Sequence, residues 1–285
     1  LDTGLLLEQV TFPIGVIGMI FEARPDALIQ IVSLCLKSGN GIILKGGREA
    51  LRTNTVLVDV IKHSCVDSHL GDAWLTLLES HSDVDQILGM DDEIDLLIPR
   101  GSNQFVKYVM EHTSIPVLGH ADGICHLYID EKADLQKAVE IAFDSKTQYP
   151  AACNAVETIL VHEKVADKVL QSLAKRLSEG NVVIHGDSAV CSYIHAIPYE
   201  EGDWRREYLQ NEVNIHIVDS LERAIDHIEA YGSHHTDVIV SEDSQAVRTF
   251  FSLVDSADVF ANCSTRFSDG YRFGLGAEVD RKSVV

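Results

Sequence analysis

Short apolar runs alternate with amphipathic helical patterns along the first half of the chain. The run 13–21 is apolar and interrupted only by Gly15 and Gly18, which is typical of a buried strand, and a helical pattern follows Pro25. The alternation predicts strands at 13–21, 41–45, 74–78, 94–99 and 115–118, and helices at 26–37, 49–63, 83–88 and 103–112. Such a series predicts right-handed crossovers, a doubly wound parallel sheet and ligands at the carboxyl ends of its strands.

A second series with the same periodicity fills the rest of the chain. It predicts strands at 124–129, 158–162, 182–185, 212–218, 238–240 and 259–261, and helices at 135–145, 166–178, 221–231 and 244–253. Residues 187–204 have the weakest periodicity. We therefore expect two doubly wound α/β domains, 1–146 and 147–279, with the active site at their seam because clefts form between domains.

The composition of the chain limits the kinds of molecule that it could bind. The 285 residues are 46% hydrophobic, enough for a large core, and the formal net charge of −21 would repel nucleic acid and an anionic membrane surface. The longest apolar runs have the length of strands, far short of a bilayer span. Six scattered cysteines form no C-x-x-C pair, which favours a reducing, cytoplasmic compartment over a disulfide scaffold.

A cysteine stands on the turn between the predicted helix 135–145 and the apolar run 159–161. The turn reads Tyr-Pro-Ala-Ala-Cys-Asn-Ala, so Cys153 has only small neighbours and Pro150 beside it. An enzyme that forms a covalent intermediate presents its thiol in this way, which makes Cys153 a candidate nucleophile. The alternative is a small buried hydrophobic residue in a loop, since free cysteine is often part of a core.

Two loops follow predicted strands of the first half and could bind a nucleotide. Lys45 ends a strand before Gly46 and Gly47, where its ammonium could reach a ribose or a phosphate; a plain strand-to-helix turn is the alternative. Gly101 and Ser102 open a helix whose N–H groups suit a pyrophosphate, although Ser102 could be only an N-cap.

Polar residues also crowd the loop after the last predicted strand. Ser264, Thr265 and Arg266 could bind a small charged substrate, or they could form a solvated turn. His234 and His235 suggest a metal, but adjacent histidines on a strand do not easily aim at one ion and no further ligand completes a set. We therefore expect no metal site.

Several stretches of the chain resemble gamma-glutamyl phosphate reductases. They are Ile-Phe-Glu-Ala-Arg-Pro at 20–25, Leu-Gly-His-Ala-Asp-Gly-Ile-Cys-His at 118–126, Pro-Ala-Ala-Cys-Asn-Ala at 150–155, the segments 38–47, 98–103 and 218–239, and Ser-Thr-Arg-Phe-Ser-Asp-Gly-Tyr-Arg-Phe-Gly at 264–274. The sequence of these stretches is most similar to the reductase half of bifunctional delta-1-pyrroline-5-carboxylate synthase. The similarity runs from Leu5 to Val279, nearly the whole chain.

The resemblance implies an aldehyde dehydrogenase-like fold and the NADPH-dependent reduction of L-glutamate 5-phosphate to the 5-semialdehyde in proline biosynthesis. It implies that Cys153 forms a thioester beside Asn154 and that Glu207 holds the nicotinamide ribose. The cofactor would also be bound by Lys45, Gly46, Gly47, Gly101 and Ser102, and the substrate by Ser264, Thr265 and Arg266.

The chain departs in two ways from hydrolytic aldehyde dehydrogenases and in two ways from the reductases it resembles. Hydrolytic aldehyde dehydrogenases use a glutamate to activate water, and this chain has no counterpart of it near Leu118 and Gly119. The asparagine of their oxyanion hole is replaced within 22–24. We therefore expect the backbone N–H groups after Cys153 to form the oxyanion hole. The N-terminal helices of the family are missing, and the tail 280–285 diverges.

These departures at the two ends suggest a fragment, and they leave two alternatives. The chain is either a reductase or a catalytically silent, truncated product that keeps only nucleotide-binding or protein-interaction capacity. For the complete enzyme we expect a homo-oligomer, and the resemblance to the bifunctional enzyme also allows a fused glutamate 5-kinase domain and a mitochondrial location. We expect the isolated polypeptide to be poorly soluble or inactive, because missing flanks leave a sheet edge unpaired and apolar surface exposed.

Overall fold

The computed structural model describes residues 6, 8, 10–21, 25–68, 70–79, 83–119, 122–199 and 203–275. The chain forms two compact units, residues 1–121 and 122–285. Each unit is an α/β structure with its own parallel sheet.

The first unit contains a four-stranded parallel sheet in the order β3-β2-β1-β4. Its strands are β1 (Val16–Phe21), β2 (Gly41–Gly46), β3 (Leu75–Leu78) and β4 (Leu96–Arg100), and its helices are α1 (Pro25–Ser38), α2 (Leu51–Ser64), α3 (Asp83–Leu88) and α4 (Asn103–Glu111). The chain runs from β1 outward to β3 and then returns to the other side of β1. The order of the strands therefore reverses at β1, and open α/β sheets bind ligands at such a point.

Apolar residues of the first unit join its sheet to the helices. Ile20 and Leu97 on the strands pack in one cluster with Ile87 of α3 and Val109 of α4. Register places the ends of three strands together, because Phe21 is opposite both Gly46 on β2 and Arg100 on β4. The two loops that follow these strands thus begin at one edge of the sheet.

The second unit contains a seven-stranded sheet whose pairs are all parallel, in the order β11-β10-β5-β6-β9-β7-β8. Its strands are β5 (Cys125–Ile129), β6 (Val156–His162), β7 (Val183–Gly186), β8 (Ile197–Pro198), β9 (Glu212–Val218), β10 (Thr236–Val240) and β11 (Asp258–Ala261). Its helices are α5 (Leu135–Thr147), α6 (Glu163–Glu179), α7 (Ser188–Tyr193), α8 (Leu221–Tyr231) and α9 (Ser244–Leu253).

Helices cover both faces of this second sheet. Ile159 and its neighbours pack on α5 and α6, whereas Leu160 and Ile239 pack on α8 and α9. Every residue of β5, β6 and β10 is buried as a result. This two-sided burial explains why these strands are nearly continuous apolar runs instead of alternating ones.

Most predicted elements are present, and the differences have physical reasons. The compact units divide after Ala121 instead of after Lys146, because β5 pairs with β6 and β10 and so carries α5 into the second unit. The run 115–118 forms only a single parallel bridge between Val117 and Leu97. No helix within the described residues is long and apolar enough to cross a membrane.

A cluster of rings surrounds His227 on α8. The ring centroids of His126, His216, Trp204 and Tyr231 lie between 4.7 and 5.4 Å from that of His227. Within the described part of the molecule its Nε2 makes no hydrogen bond. Burial, followed by repulsion from His126 and His216, lowers the pKa of His227 to about 2.

We predict that His227 makes the fold sensitive to acid. Because its pKa is lowered on folding, the unfolded chain binds a proton between pH 6.5 and about 2 that the folded chain does not, so stability falls as pH drops below 6.5. Replacing His227 by Phe keeps a ring and removes the titration. Between pH 7.5 and 5 the free energy of unfolding should fall by about 1–2 kcal/mol more in the wild type than in His227→Phe. Urea unfolding at both pH values measures this, and parallel losses in the two proteins would contradict it.

Candidate active site

Cys153 lies on a compact turn between α5 and β6. The N–H of Ala152 donates to the carbonyl of Tyr149 at 3.1 Å, and the N–H of Ala155 donates to the carbonyl of Ala152 at 2.9 Å. Cys153 is half-buried and is not part of a disulfide. The turn precedes β6, so the thiol stands at the amino ends of the strands of the second sheet. The expectation that ligands meet carboxyl ends therefore does not extend to this unit.

Gly123 approaches the Cys153 turn more closely than any other residue type could. A Cβ atom on Gly123 would lie 2.2 Å from the carbonyl oxygen of Cys153, 2.7 Å from its Cα and 2.7 Å from Oε1 of Glu207. The thiol of Cys125, two residues later, donates to the same carbonyl oxygen at 3.2 Å. The segment before β5 thus fixes the backbone of the candidate nucleophile.

Glu207 is brought to the same place from another part of the chain. Its Oε1 accepts a hydrogen bond from the backbone N–H of Gly123 at 3.1 Å. The carboxylate therefore lies beside the Cys153 turn, although residues 153 and 207 are 54 positions apart in the sequence.

Asn154 connects the turn to the polar loop after β11. Its side chain is fully buried, and Nδ2 donates to the carbonyl of Ser268 at 2.8 Å. The amide nitrogen therefore helps to hold the loop.

Ser264, Thr265 and Arg266 pack against the end of α5 and the turn that follows it. Oγ of Ser145 donates to Oγ of Ser264 and accepts from the N–H of Thr265, both at 3.1 Å. Nε of Arg266 donates to Oε1 of Gln148 at 3.3 Å, and its N–H donates to Oγ of Ser264 at 3.2 Å. All three residues are buried. The structure thus places the predicted substrate loop directly beside the candidate nucleophile.

The Lys45 loop of the first unit combines a buried cation with two close glycines. Nζ of Lys45 donates to the carbonyl of Gly46 at 2.7 Å, and the side chain is only 5% exposed. A Cβ on Gly46 would lie 2.2 Å from Nδ2 of Asn54, and one on Gly47 would lie 2.0 Å from Oε1 of Glu49. Glycine is therefore required at 46 by a neighbouring side chain, whether or not a ligand approaches.

Ser102 is the N-cap of α4. Its hydroxyl accepts a hydrogen bond from the N–H of Phe105 at a long distance of 3.4 Å, and the residue is exposed. Gly101 precedes it at the carboxyl end of β4 and is also exposed. The structure thus shows the capping that the sequence allowed. The positive end of α4 stays a suitable place for a phosphate.

Comparison with known proteins identifies the family. The model of the aldehyde dehydrogenase family matches residues 4–196, more than half of the chain. The chain belongs to the aldehyde dehydrogenase family. The prediction of an aldehyde dehydrogenase-like α/β fold is therefore confirmed.

Individual relatives of the chain carry a more specific name. Proteins named gamma-glutamyl phosphate reductase from Pelotomaculum thermopropionicum and Acetivibrio thermocellus are 56% and 54% identical over 98% of the chain. A solved gamma-glutamyl phosphate reductase from Thermotoga maritima is 36% identical, with a TM-score of 0.92, over 94% of this chain and 66% of that one. The chain spans 64–65% of the length of the two curated relatives.

Sequence reasoning missed residues that surround the candidate nucleophile. Gly123, Lys146 and Glu157 were not singled out, although Lys146 and Glu157 are fully buried and their side chains meet at 2.8 Å. A charged residue inside the apolar run of β6 was the signal available for Glu157, but the strand was predicted to begin one residue after it. No group of three metal-binding side chains occurs in the part of the chain that is described.

We predict that Gly123→Ala disrupts the site because the new methyl group overlaps the backbone of Cys153. The free energy of unfolding should fall by about 1–3 kcal/mol. Gly71→Ala is the matched control, since nothing lies within 4 Å of the position that its new methyl group would take, and it should change stability by less than about 0.5 kcal/mol. Chemical unfolding of both variants measures the difference. Equal stabilities would show that the Cys153 turn can move away at no cost.

Proposed function

We propose that this chain carries out the NADPH-dependent reduction of L-glutamate 5-phosphate to L-glutamate 5-semialdehyde and phosphate. The observation that carries the proposal is an identity above one half, over 98% of the chain, to proteins named gamma-glutamyl phosphate reductase. The convergence of Cys153, Glu207 and the loop at Arg266 in one unit supports it, because the reaction needs a nucleophile beside a polar substrate pocket.

The first step uses Cys153 as the nucleophile. Its sulfur attacks the acyl carbon of the substrate, the bond from that carbon to the phosphate oxygen breaks, and the thiol proton leaves with the phosphate. The product is a thioester on Cys153. The N–H of Ala155 already belongs to the turn, so we assign the developing oxyanion to the N–H of Asn154.

The second step reduces the thioester. NADPH, when bound, supplies the hydride that goes to the thioester carbon. The resulting tetrahedral oxyanion reforms its carbonyl as the bond to sulfur breaks, which releases the aldehyde and returns the thiolate, and a proton from solvent restores the thiol. A reaction of this kind requires that water stay away from the thioester. The absence of a carboxylate at Leu118 and Gly119 supports that requirement.

Each unit, taken by itself, contains residues that suit part of a nicotinamide cofactor. The carboxylate of Glu207 can accept hydrogen bonds from a ribose hydroxyl, and the buried ammonium of Lys45 can exchange the carbonyl of Gly46 for an anionic oxygen. The N-terminal end of α4 at Gly101 and Ser102 suits the phosphates of the cofactor. The backbone at Gly46 and Gly47 would approach the same groups. These assignments are proposals, each made for the unit that contains the residue.

In this proposal, the loop 264–266 binds the glutamate part of the substrate. The guanidinium carbon of Arg266 lies 6.0 Å from the ring centroid of Tyr149 on the nucleophile turn, and we assign to this guanidinium a carboxylate of the substrate. The hydroxyls of Ser264 and Thr265 lie beside it. Oligomeric state and cytoplasmic location stay predictions. The relatives named above carry only the reductase name, which gives no support to a fused kinase domain or to a mitochondrial location.

We predict that Cys153→Ala abolishes turnover and preserves NADPH binding. The assay is the reverse reaction, in which glutamate 5-semialdehyde reduces NADP⁺ in the presence of phosphate. The rate should fall on the order of 10³-fold or more, because the covalent intermediate cannot form. A dissociation constant for NADPH within a factor of about two of the wild type is expected by fluorescence titration.

Cys191→Ala is the matched control, since Cys191 is also half-buried in the same unit and lies on α7. It should keep full activity. Turnover by Cys153→Ala would end the covalent mechanism, and turnover without phosphate would indicate a hydrolytic aldehyde dehydrogenase instead. NADPH binding without any turnover in the wild type would favour the silent, truncated alternative.

We also predict that Lys45 acts on cofactor affinity and not on the chemical step. Lys45→Ala removes a charge-assisted hydrogen bond worth about 1.5–3 kcal/mol, so the Michaelis constant for NADPH should rise roughly 10- to 150-fold with kcat little changed. Lys37→Ala, at an exposed lysine of α1, is the control. An unchanged Michaelis constant in Lys45→Ala would mean that this loop is only a turn.

A further inference from the structure

A buried ion pair joins the two ends of the nucleophile turn. Lys146 is in the last turn of α5, and Glu157 is the second residue of β6. Nζ of Lys146 lies 2.8 Å from Oε2 of Glu157, and neither side chain is exposed to solvent. One charge thus comes before Cys153 and its partner comes after it.

Glu157 also holds a third segment. Its carboxylate faces the backbone N–H groups of Tyr208 and Leu209, which directly follow Glu207, and the attraction of these groups opposes the effect of burial on the pKa of Glu157. Leu209 has a φ angle of 56°, a left-handed conformation that is unfavourable for a branched side chain. A residue keeps such a conformation only where its surroundings fix it, and the carboxylate of Glu157 is part of those surroundings.

The electrostatic surroundings show how close these groups are. The carboxylate of Glu207 and the sulfur of Cys125 are both close enough to affect the pKa of Lys146, so the ammonium lies near the contacts that hold Gly123 and the Cys153 carbonyl. Burial lowers the pKa of Lys146 and raises the pKa of Glu157 to about 7. Burial therefore works against both charges.

Stability alone does not explain the pair. Two buried apolar side chains of similar size would join α5 to β6 with no cost of desolvation, and such replacements are often neutral or stabilising. What apolar side chains cannot do is attract the N–H groups of Tyr208 and Leu209, which face the carboxylate of Glu157. The attraction of a second segment is the feature that an ion pair adds here.

We infer that Lys146 and Glu157 are positioning residues that lock the nucleophile turn to the Glu207 segment. The lock sets the separation between the Cys153 thiol and the Glu207 carboxylate. Its effect on the thiol is independent of any reaction, whereas its effect on the cofactor rests on the proposed function of Glu207.

The test compares two double variants. Lys146→Met/Glu157→Leu removes both buried charges together, so no unpaired charge is left inside the fold. Lys164→Met/Glu131→Leu removes an exposed pair whose atoms lie 2.6 Å apart, at a site away from the turn, and is the matched control. Thermal unfolding checks that both variants fold.

The first readout is the rate at which iodoacetamide alkylates Cys153, followed by mass spectrometry of its peptide. Loss of the lock should expose the half-buried thiol and raise this rate at least about threefold, with no change in the control. The second readout is NADPH affinity by fluorescence, which should weaken at least about fivefold as Glu207 loses its fixed position. An unchanged or lower alkylation rate in the folded variant would overturn the inference.

Glu157→Gln is a second variant in case the double replacement does not fold. It keeps the shape and one oxygen acceptor, so its alkylation rate should lie between those of the wild type and the double variant, and a rate equal to the wild type would also overturn the inference. If the wild type itself does not bind NADPH, the proposed function fails. The alkylation measurement still decides whether the pair positions Cys153.

Discussion

The space at Gly123 is the constraint on which the rest of the second unit depends. The carbonyl of Cys153 and the carboxylate of Glu207 both lie where a side chain on residue 123 would be. Because Gly123 lies two residues before the fully buried strand β5, the position of the Cys153 turn is tied to a buried part of the sheet. Small movements of the turn would have to displace packed strands, and packed cores resist such movement.

The two units use opposite ends of their sheets. In the first unit Lys45 and Gly101 stand at the carboxyl ends of β2 and β4, on either side of β1, as the rule for open parallel sheets predicts. In the second unit Cys153, Gly123 and Glu157 lie at the amino ends. The difference arises because the thiol is presented by the helix-to-strand connection that leads into β6, and not by the connection that leaves it.

Hydrophobic periodicity predicted most of the elements because parallel strands covered on both faces are continuous apolar runs. It could not predict which strands pair. Helix α5 has the same hydrophobic pattern whichever unit contains it, so the predicted boundary near Thr147 lies later in the chain than the division between the compact units. The pairing of β5 with β10 places α5 in the second unit. Val117 and its neighbours have a strand pattern but form only one parallel bridge, to Leu97.

The candidate site divides into residues with a local signal and residues without one. Cys153 could be predicted from its small neighbours and its turn, and the loop at Arg266 from its polar density. Lys146 had no such signal, because a lysine near the end of a helix usually reaches solvent and favours the helix dipole there. Its burial follows only from the meeting of α5 with β6, which places Glu157 opposite it.

Polar contacts hold the turn that carries the half-buried thiol of Cys153. Asn154 binds Ser268, Gln148 binds Arg266, and Gly123 binds Glu207, so the turn is held on several sides by hydrogen bonds that do not involve the sulfur. In the proposed mechanism the sulfur changes from thiol to thioester and back, and none of these bonds has to break. The groups that would surround the reacting carbon therefore need little reorganisation, which is the condition under which fixed hydrogen-bond donors stabilise a developing charge most strongly.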